Sequence, residues 1–174
     1  MEFMVLDRDG VLVKDKRYVH LVEDFELLPG ALSGLGKLQN KLGFRFVVVT
    51  NQAGIARGLY TTHEADQFNN EMIRRLSAFG VCIEKVYLCP HHPEFTGECD
   101  CRKPKTGLVL QAAKEFGFNP SECVFVGDKD SDIQLGRNCG GVTVLVDNKQ
   151  YAVSVAPDYI VGNLDELYSI LAVR

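Results

Sequence analysis

The 174 residues, 46% of them hydrophobic, have the length and composition of one globular domain, so we predict a single domain over residues 1–174. Nineteen lysines and arginines against 23 aspartates and glutamates give a net charge of −4, which argues against nucleic acid as a partner. The sequence has no apolar run of the about 20 residues that a membrane span needs and no signal-peptide pattern, so we predict a cytoplasmic protein without a membrane partner.

Short apolar runs alternate along the chain with segments of helical periodicity. In chain order they predict a strand at 3–6, a helix at 31–42, a strand at 44–50, a helix from 61 or 62 to 79, a strand at 81–88, a helix at 107–116, a strand at 123–126, a helix at 130–138, a strand at 142–146, an edge strand at 159–161 and a helix at 164–172. This alternation predicts an α/β fold with a doubly wound parallel sheet covered by helices on both faces.

Two connections, 11–29 and 89–105, are far longer than the usual two to six residues between a strand and a helix. Both leave from the carboxyl end of a predicted strand, which is the edge where open α/β sheets bind ligands. We therefore predict that both loops contribute to a functional site.

Polar or charged residues lie at or after the carboxyl ends of the predicted strands. Asp7 and Asp9 follow the first strand, Thr50 ends the second, Lys103 lies in the loop after the third, and Asp128 follows the fourth. Each residue alone is typical of a turn, a helix cap or a solvated charge. Carboxylates brought together at one sheet edge repel one another unless a divalent cation lies among them, and Mg²⁺ prefers one or two carboxylates plus phosphate oxygens. The set as a whole therefore predicts a magnesium-dependent phosphoryl-transfer site.

The order of Asp7-x-Asp9-Gly, Thr50, Lys103 and Gly-Asp128 resembles the haloacid dehalogenase superfamily of aspartate-nucleophile phosphatases, whose fold is Rossmann-like. Longer sequence motifs resemble one branch of this superfamily, the D-glycero-D-manno-heptose-1,7-bisphosphate 7-phosphatases. These motifs are Tyr18-Val-His, Val49-Thr-Asn-Gln-x-Gly-Ile-Ala-Arg-Gly58, and Cys89-Pro-His-His-Pro followed by Cys99-Asp-Cys-Arg-Lys-Pro104. The resemblance implies a phosphatase that removes the 7-phosphate of a sugar bisphosphate. Val11 departs from the threonine usual in this motif, and we expect it to cost one local hydrogen bond.

The resemblance also implies roles for individual residues. Asp7 would be the nucleophile that forms an aspartyl-phosphate, and Asp9 the general acid and base. Thr50 and Lys103 would hold the phosphoryl oxygens, while Asp7, the backbone carbonyl of Asp9 and Asp128 would bind Mg²⁺. The residues expected to bind substrate are Asp15, Tyr18, Asn51, Gln52, Arg57, Arg102 and Lys129. Asp132, one helical turn after Asp128, has two interpretations, support of the metal site and a place on a solvated helix face.

Four potential metal ligands, Cys89, His91, Cys99 and Cys101, lie within thirteen residues. Three thiolates and one imidazole suit a closed, structural, tetrahedral Zn²⁺ site, although the spacing departs from the common C-x₂-C form. A loop with free cysteines is the alternative, and the resemblance favours zinc. The ligands directly precede Arg102 and Lys103, so a bound zinc ion would fix the position of two cations. The other cysteines are predicted to lie in the core, and they are Cys82, Cys123 and Cys139.

Neither long loop exceeds about twenty residues, so we expect an enzyme without a separate cap domain, and we expect a monomer. Arg57, Arg102 and Lys129 are more cations than one transferred phosphoryl group needs, which favours a bisphosphate substrate. Histidinol phosphate is the alternative substrate, but it carries an ammonium group that these cations would repel. For Arg57, pairing with a surface carboxylate is the alternative.

Two further functional classes are considered. A phospho-acceptor receiver module has a similar acidic site but carries its acceptor aspartate after the third strand, where this chain has Leu88-Cys89. A non-catalytic zinc scaffold would not require the complete catalytic set found here. Both alternatives are therefore weaker than the phosphatase.

Overall fold

The computed structural model describes residues 3–173, and residues 1, 2 and 174 of the predicted 1–174 domain lie outside the described residues. The strands are β1 (Phe3–Leu6), β2 (Arg45–Asn51), β3 (Ile83–Cys89), β4 (Val124–Gly127), β5 (Val142–Val146) and β6 (Tyr159–Val161). The helices are α1 (Ala31–Leu42), α2 (Ala53–Ala56), α3 (Thr62–Ser77), α4 (Pro93–Thr96), α5 (Gly107–Phe116), α6 (Asp130–Cys139) and α7 (Leu164–Leu171). No described helix is long and apolar enough to cross a bilayer.

The six strands form one parallel sheet in the order β3-β2-β1-β4-β5-β6. The chain builds the sheet outward from β1 to β3 and then returns to place β4 on the other side of β1. Leu6 at the end of β1 is in register with Val48 of β2 and Val126 of β4. The strand order therefore reverses at β1, and such switch points are where α/β sheets bind ligands. The predicted doubly wound α/β fold is confirmed.

The sheet is buried on both faces, which explains the continuous apolar runs in its central strands. Met4 and Leu6 of β1 pack on one face with side chains of α1, α3 and α7. Phe3 and Val5 pack on the opposite face with side chains of α5 and α6. The period-2 alternation of a strand thus supplies both cores from one four-residue segment.

The helix boundaries follow from local signals that the sequence carries. Thr61 and Glu64 form a capping box, in which each side chain accepts a hydrogen bond from the backbone N–H of the other residue, and this starts α3. Gly43 ends α1 with a φ of +75°, a conformation that costs glycine little, and its N–H donates to the Gln39 carbonyl.

The structure adds four short elements to those predicted. They are α2, α4 and single 3₁₀ turns at Val22–Asp24 and Pro120–Glu122, where the sequence predicted loops and one turn. Three or four residues are too short to show a helical period. The strand predicted at 81–88 starts later, at Ile83, and Cys82 before it is exposed. Its prediction as a core residue is therefore wrong, whereas Cys123 is buried and Cys139 is half-buried.

The first long loop is anchored in the core rather than forming a cap. Val11, Leu12 and Val13 are buried, and Val13 forms a backbone bridge with Leu27. Val11, where the resemblance led us to expect threonine, packs in the hydrophobic core. Within residues 3–173 neither loop forms a separate folded unit.

Candidate active site

A pocket of about 180 Å³, which we call the inner pocket, lies at the carboxyl edge of the sheet beside β1, β2 and β4. Its lining residues are Asp7, Asp9, Thr50, Asn51, Ala53, Arg102, Lys103, Lys129 and Ser131. The four predicted catalytic residues are among them. The sheet topology accounts for this, because the strands that carry Asp7, Thr50 and Asp128 are neighbours.

Lys103 holds two carboxylates at this pocket. Its Nζ lies 2.8 Å from Asp7 Oδ1 and 2.7 Å from Asp132 Oδ1, and it donates to the Val49 carbonyl at 2.8 Å. The side chain is only 3% exposed. Burial alone would lower the pKa of this ammonium group, but the charges of Asp132 and Asp7 outweigh burial and raise it. Lys103 is therefore a fixed positive charge.

Asp132 belongs to this buried cluster, so its interpretation as part of a solvated helix face is wrong. The residue is buried, and its Oδ2 accepts the backbone N–H groups of Asp128 and Lys129 at 3.2 and 3.1 Å. Because α6 begins directly after β4, its first turn brings this carboxylate back to Lys103. Asp132 thus fixes both the turn after β4 and the Lys103 ammonium group.

The carboxylates of Asp7, Asp128 and Asp132 offer oxygens that lie within 4.8 Å of one another. Asp128 Oδ1 is buried and accepts no hydrogen bond, and Lys129 Nζ lies 3.4 Å from it. Burial and the charge of Asp7 raise the pKa of Asp128 to about 7. A divalent cation held by Asp7 and Asp128 would compensate this crowded negative charge, and carboxylate oxygens are ligands that Mg²⁺ prefers. The residues therefore fit the predicted magnesium ion.

Gly10 permits the close approach of Asp128 to the first loop. Its φ is +87°, and a Cβ atom there would lie 1.9 Å from Asp128 Oδ2. Asn148 Nδ2 donates to the Gly10 carbonyl at 3.1 Å and to Asp128 Oδ2 at 3.0 Å. Asn148, which was not predicted from the sequence, orients one of the two carboxylates expected to bind magnesium.

Arg8 is a second residue of the site that was not predicted from the sequence. It is fully buried, and its guanidinium group donates to both oxygens of Asp9, at 3.0 and 2.9 Å. Further donors bind Asn69 Oδ1 and the Val19 carbonyl, each at 2.9 Å. The side chain between the two motif aspartates therefore points into the protein and holds Asp9.

A larger cavity of about 420 Å³, which we call the outer cavity, adjoins the inner pocket and shares Asp9, Asn51, Ala53 and Lys129 with it. Its lining residues are Asp9, Asp15, Arg17, Tyr18, Asn51, Gln52, Ala53, Tyr60, Lys129 and Tyr151. Five of the seven residues predicted to bind substrate lie there, and they are Asp15, Tyr18, Asn51, Gln52 and Lys129. Arg17, Tyr60 and Tyr151 were not predicted.

Asp15 connects three parts of the outer cavity. Its Oδ2 accepts hydrogen bonds from Tyr151 Oη at 2.7 Å and from Lys129 Nζ at 3.1 Å, and its Oδ1 accepts the Arg17 N–H at 2.8 Å. Burial raises the pKa of Asp15, but these contacts outweigh it and lower the pKa overall. Arg17 and Tyr18 have φ values of +61° and +55°, so the loop is held in a left-handed conformation that is uncommon for such residues.

The two arginines predicted to bind substrate lie in different places. Arg102 lines the inner pocket, and its Nη1 donates to the His91 carbonyl at 3.1 Å. Arg57 is exposed, and its guanidinium group lies 4.7 Å from the centre of the Phe95 ring in α4. Arg57 lines neither the inner pocket nor the outer cavity, so the structure does not bring it together with the other predicted residues.

Three of the four predicted zinc ligands are close together. The Sγ atoms of Cys89 and Cys101 lie 2.7 Å apart, those of Cys99 and Cys101 3.5 Å, and those of Cys89 and Cys99 3.7 Å. Tetrahedral Zn–S bonds of ~2.3 Å place sulfur atoms about 3.8 Å apart, close to two of these distances. The imidazole of His91 is not part of the group that the structure brings together.

Comparison with known proteins agrees with the geometry. The family model for HAD-hydrolase-like proteins matches residues 100–167. A D-glycero-beta-D-manno-heptose-1,7-bisphosphate 7-phosphatase of Haemophilus influenzae is 43% identical over 135 residues, covering 75% of this chain and 73% of that protein. The Yersinia pestis protein of the same name is 35% identical over 178 residues, covering 97% and 94%.

A solved structure shows the same fold over almost the whole chain. It is a D,D-heptose 1,7-bisphosphate phosphatase from B. bronchiseptica complexed with magnesium and phosphate, with a TM-score of 0.85 and 27% sequence identity. The match covers 99% of this chain and 98% of that one. Fold, site residues and relatives agree, and this chain belongs to the haloacid dehalogenase-like phosphatases, in the group that contains the heptose-1,7-bisphosphate 7-phosphatases.

Proposed function

We propose that this chain, as a single domain over residues 1–174, removes the 7-phosphate of D-glycero-D-manno-heptose 1,7-bisphosphate in a magnesium-dependent reaction. The observation that carries the proposal is the convergence of Asp7, Thr50, Lys103 and Asp128 at one sheet edge, beside a cavity wide enough for a sugar. The names of its relatives support the choice of substrate.

In the first half of the reaction, Asp7 attacks phosphorus. Asp7 Oδ1 accepts the Arg8 N–H at 2.7 Å and contacts Lys103, which leaves Oδ2 available. A bond forms between an Asp7 carboxylate oxygen and phosphorus, the bond from phosphorus to the sugar O7 breaks, and Asp9 gives its proton to the leaving alkoxide. Thr50 and Lys103 stabilise the phosphoryl oxygens.

In the second half, water hydrolyses the aspartyl-phosphate. Asp9 takes a proton from the water as its oxygen attacks phosphorus, and the bond to the Asp7 oxygen breaks to release inorganic phosphate. Asp7, the Asp9 carbonyl and Asp128 would hold Mg²⁺, which would supply positive charge to neutralise the phosphoryl group. Asp132 and Asn148 keep Lys103 and Asp128 in position throughout.

The second phosphate of the substrate would meet the cations outside the phosphoryl site. Arg102 lines the inner pocket and Lys129 lies where the inner pocket and the outer cavity join. Burial lowers the pKa of Lys129, but the charges of Asp7 and Asp128 outweigh it and raise the pKa, so the ammonium group stays charged at neutral pH. An anion suits this environment better than the ammonium group of histidinol phosphate.

We expect kcat/KM to favour the heptose bisphosphate over histidinol phosphate, and the variant Arg102→Ala to reduce that preference by about tenfold or more, because a guanidinium–phosphate contact is lost. Arg74→Ala, which removes an exposed guanidinium group paired with Glu71 on α3, is the matched control and should leave the ratio unchanged. Equal efficiency of the unmodified protein on the two substrates, or a preference for histidinol phosphate, would contradict the assignment.

The receiver alternative lacks its acceptor residue. β3 ends at Cys89, without the aspartate that a receiver phosphorylates there. The non-catalytic scaffold is disfavoured by the complete set of catalytic side chains at the inner pocket. The monomeric state and the cytoplasmic location stay predictions from the sequence.

A structural zinc ion is the second part of the proposal. Cys89, Cys99 and Cys101 would bind it, with His91 as the fourth ligand. Burial raises the pKa of the Cys89 thiol, so without a cation this thiol stays protonated. The ion would fix the loop that holds Arg102 and Lys103.

Elemental analysis of protein purified without chelator should find about one zinc per chain. The variant Cys99→Ser should lose that zinc and raise KM, because Arg102 is no longer fixed. Cys82→Ser, which changes an exposed cysteine outside the cluster, should keep the zinc. Protein without zinc, or a Cys99→Ser variant that retains it fully, would contradict the four-ligand site.

A further inference from the structure

The carboxylate of Asp9 is held by donors on two sides. Arg8 donates to both of its oxygens, and Gln52 Nε2 donates to Oδ2 at 2.9 Å. The Gln52 side chain is buried, and its amide group forms hydrogen bonds with three protein side chains. Its Nε2 also donates to Thr50 Oγ1 at 2.8 Å, which occupies an acceptor position of that hydroxyl and leaves its proton for the inner pocket.

The orientation of the Gln52 amide depends on Tyr60. Tyr60 Oη donates to Gln52 Oε1 at 2.5 Å, so the carbonyl end of the amide faces Tyr60 and the NH₂ end faces Asp9 and Thr50. The opposite orientation would place the amide oxygen against the Asp9 carboxylate, where two acceptors repel. The Asp9 carboxylate, which only accepts, and the donation from Tyr60 together favour the orientation in which the amide binds both active-site groups.

Tyr60 itself is rigidly placed. Its side chain is buried, and the imidazole of His20 stacks on it with ring centres 4.5 Å apart. A Cβ atom on Gly54 would lie 2.1 Å from Tyr60 Cε1, so only glycine fits against the ring. Burial raises the pKa of Tyr60 to about 12, so the phenol keeps the proton that it donates at neutral pH.

We propose that Tyr60 is a positioning residue which, through Gln52, orients the Asp9 carboxylate for proton transfer to the leaving group. This inference rests on the proposed role of Asp9 as general acid. It also changes the predicted role of Gln52 from a substrate contact to a group that holds two catalytic side chains in place.

Leaving-group dependence distinguishes positioning from a structural role. The heptose O7 alkoxide needs a proton as it leaves, whereas 4-nitrophenolate leaves without one, and kcat/KM reports the step in which the leaving group departs. Tyr60→Phe removes only the hydroxyl group. We expect it to lower kcat/KM for the heptose bisphosphate about tenfold or more, through kcat with little change in KM, and to change kcat/KM for 4-nitrophenyl phosphate less than threefold.

Tyr87→Phe is the matched control, because it removes the hydroxyl group of another buried tyrosine, which donates to Glu115 away from the site. It should leave both values of kcat/KM unchanged. Asp9→Asn tests the proposed role of Asp9 as general acid. It should shift the ratio of kcat/KM for the two substrates in the same direction as Tyr60→Phe, and by more. In the Asp9→Asn background, Tyr60→Phe should add little to the shift.

The outcomes separate the two hypotheses. If Asp9→Asn leaves the substrate ratio unchanged, the proposed role of Asp9 fails and the inference fails with it. If Asp9→Asn shifts the ratio but Tyr60→Phe does not, only the inference is overturned. A rise in KM alone in Tyr60→Phe would identify Tyr60 as a substrate contact and would also overturn it.

Discussion

Replacing Asp7 with asparagine should lower turnover at least about a thousandfold while the protein stays folded, because an amide is isosteric with the carboxylate but is a poor nucleophile. The site tolerates the change for electrostatic reasons. Asp7 is one of three carboxylates within 4.8 Å of one another, and neutralising it relieves repulsion. Lys103 keeps its contacts with Asp132 and the Val49 carbonyl.

The measurement is steady-state turnover together with the unfolding midpoint in the absence of Mg²⁺, which should stay within about 5 °C of the unmodified protein or rise. Asp165→Asn, a half-buried carboxylate that binds Ser33 and Lys37 far from the site, is the matched control and should keep full activity. An Asp7→Asn protein that turns over near the unmodified rate would show that another group attacks phosphorus.

Replacing Lys103 with methionine should have the largest effect on stability. The ammonium group is buried between Asp7 and Asp132, and its removal leaves both carboxylates and nearby Asp128 without this countercharge. Breaking a buried ion pair costs ~3–5 kcal/mol, and we expect a loss of that size in the free energy of unfolding measured with urea in EDTA. Saturating Mg²⁺ should restore part of the loss, because it supplies positive charge at the same carboxylates.

The double variant Lys103→Met with Asp132→Asn separates charge from packing. It removes one carboxylate together with the ammonium group, so it should be more stable in EDTA than Lys103→Met alone. If Lys103→Met unfolds within about 1 kcal/mol of the unmodified protein, or if the double variant is the less stable of the two, Lys103 does not balance these carboxylates.

The sequence predicted the elements whose pattern is long or strongly apolar. The central strands and α1, α3 and α5 lie within about two residues of their predicted bounds, because continuous apolar runs and capping residues are local signals. The same topology predicted that Asp7, Thr50 and Asp128 meet. Short elements such as α2 and α4 carry no period, and the structure alone reveals them.

The residues that support the catalytic groups could not be predicted, because their roles depend on contacts between distant parts of the chain. Arg8 reads as a charged surface residue until its contact with Asn69, 61 positions away, is seen. Tyr60 has no sequence pattern that distinguishes it from any other apolar residue before a helix. Arg57 was predicted to bind substrate because it lies in a motif that resembles the family. In the structure its guanidinium group instead stacks on Phe95, outside the inner pocket and the outer cavity.

The proposed activity is tested most directly by ³¹P NMR of D-glycero-D-manno-heptose 1,7-bisphosphate incubated with the protein and Mg²⁺. We expect the C7 phosphomonoester resonance to disappear, inorganic phosphate to appear in equal amount, and the anomeric phosphate resonance to remain. Release of the anomeric phosphate instead, or no release of phosphate by folded protein with Mg²⁺ present, would contradict it.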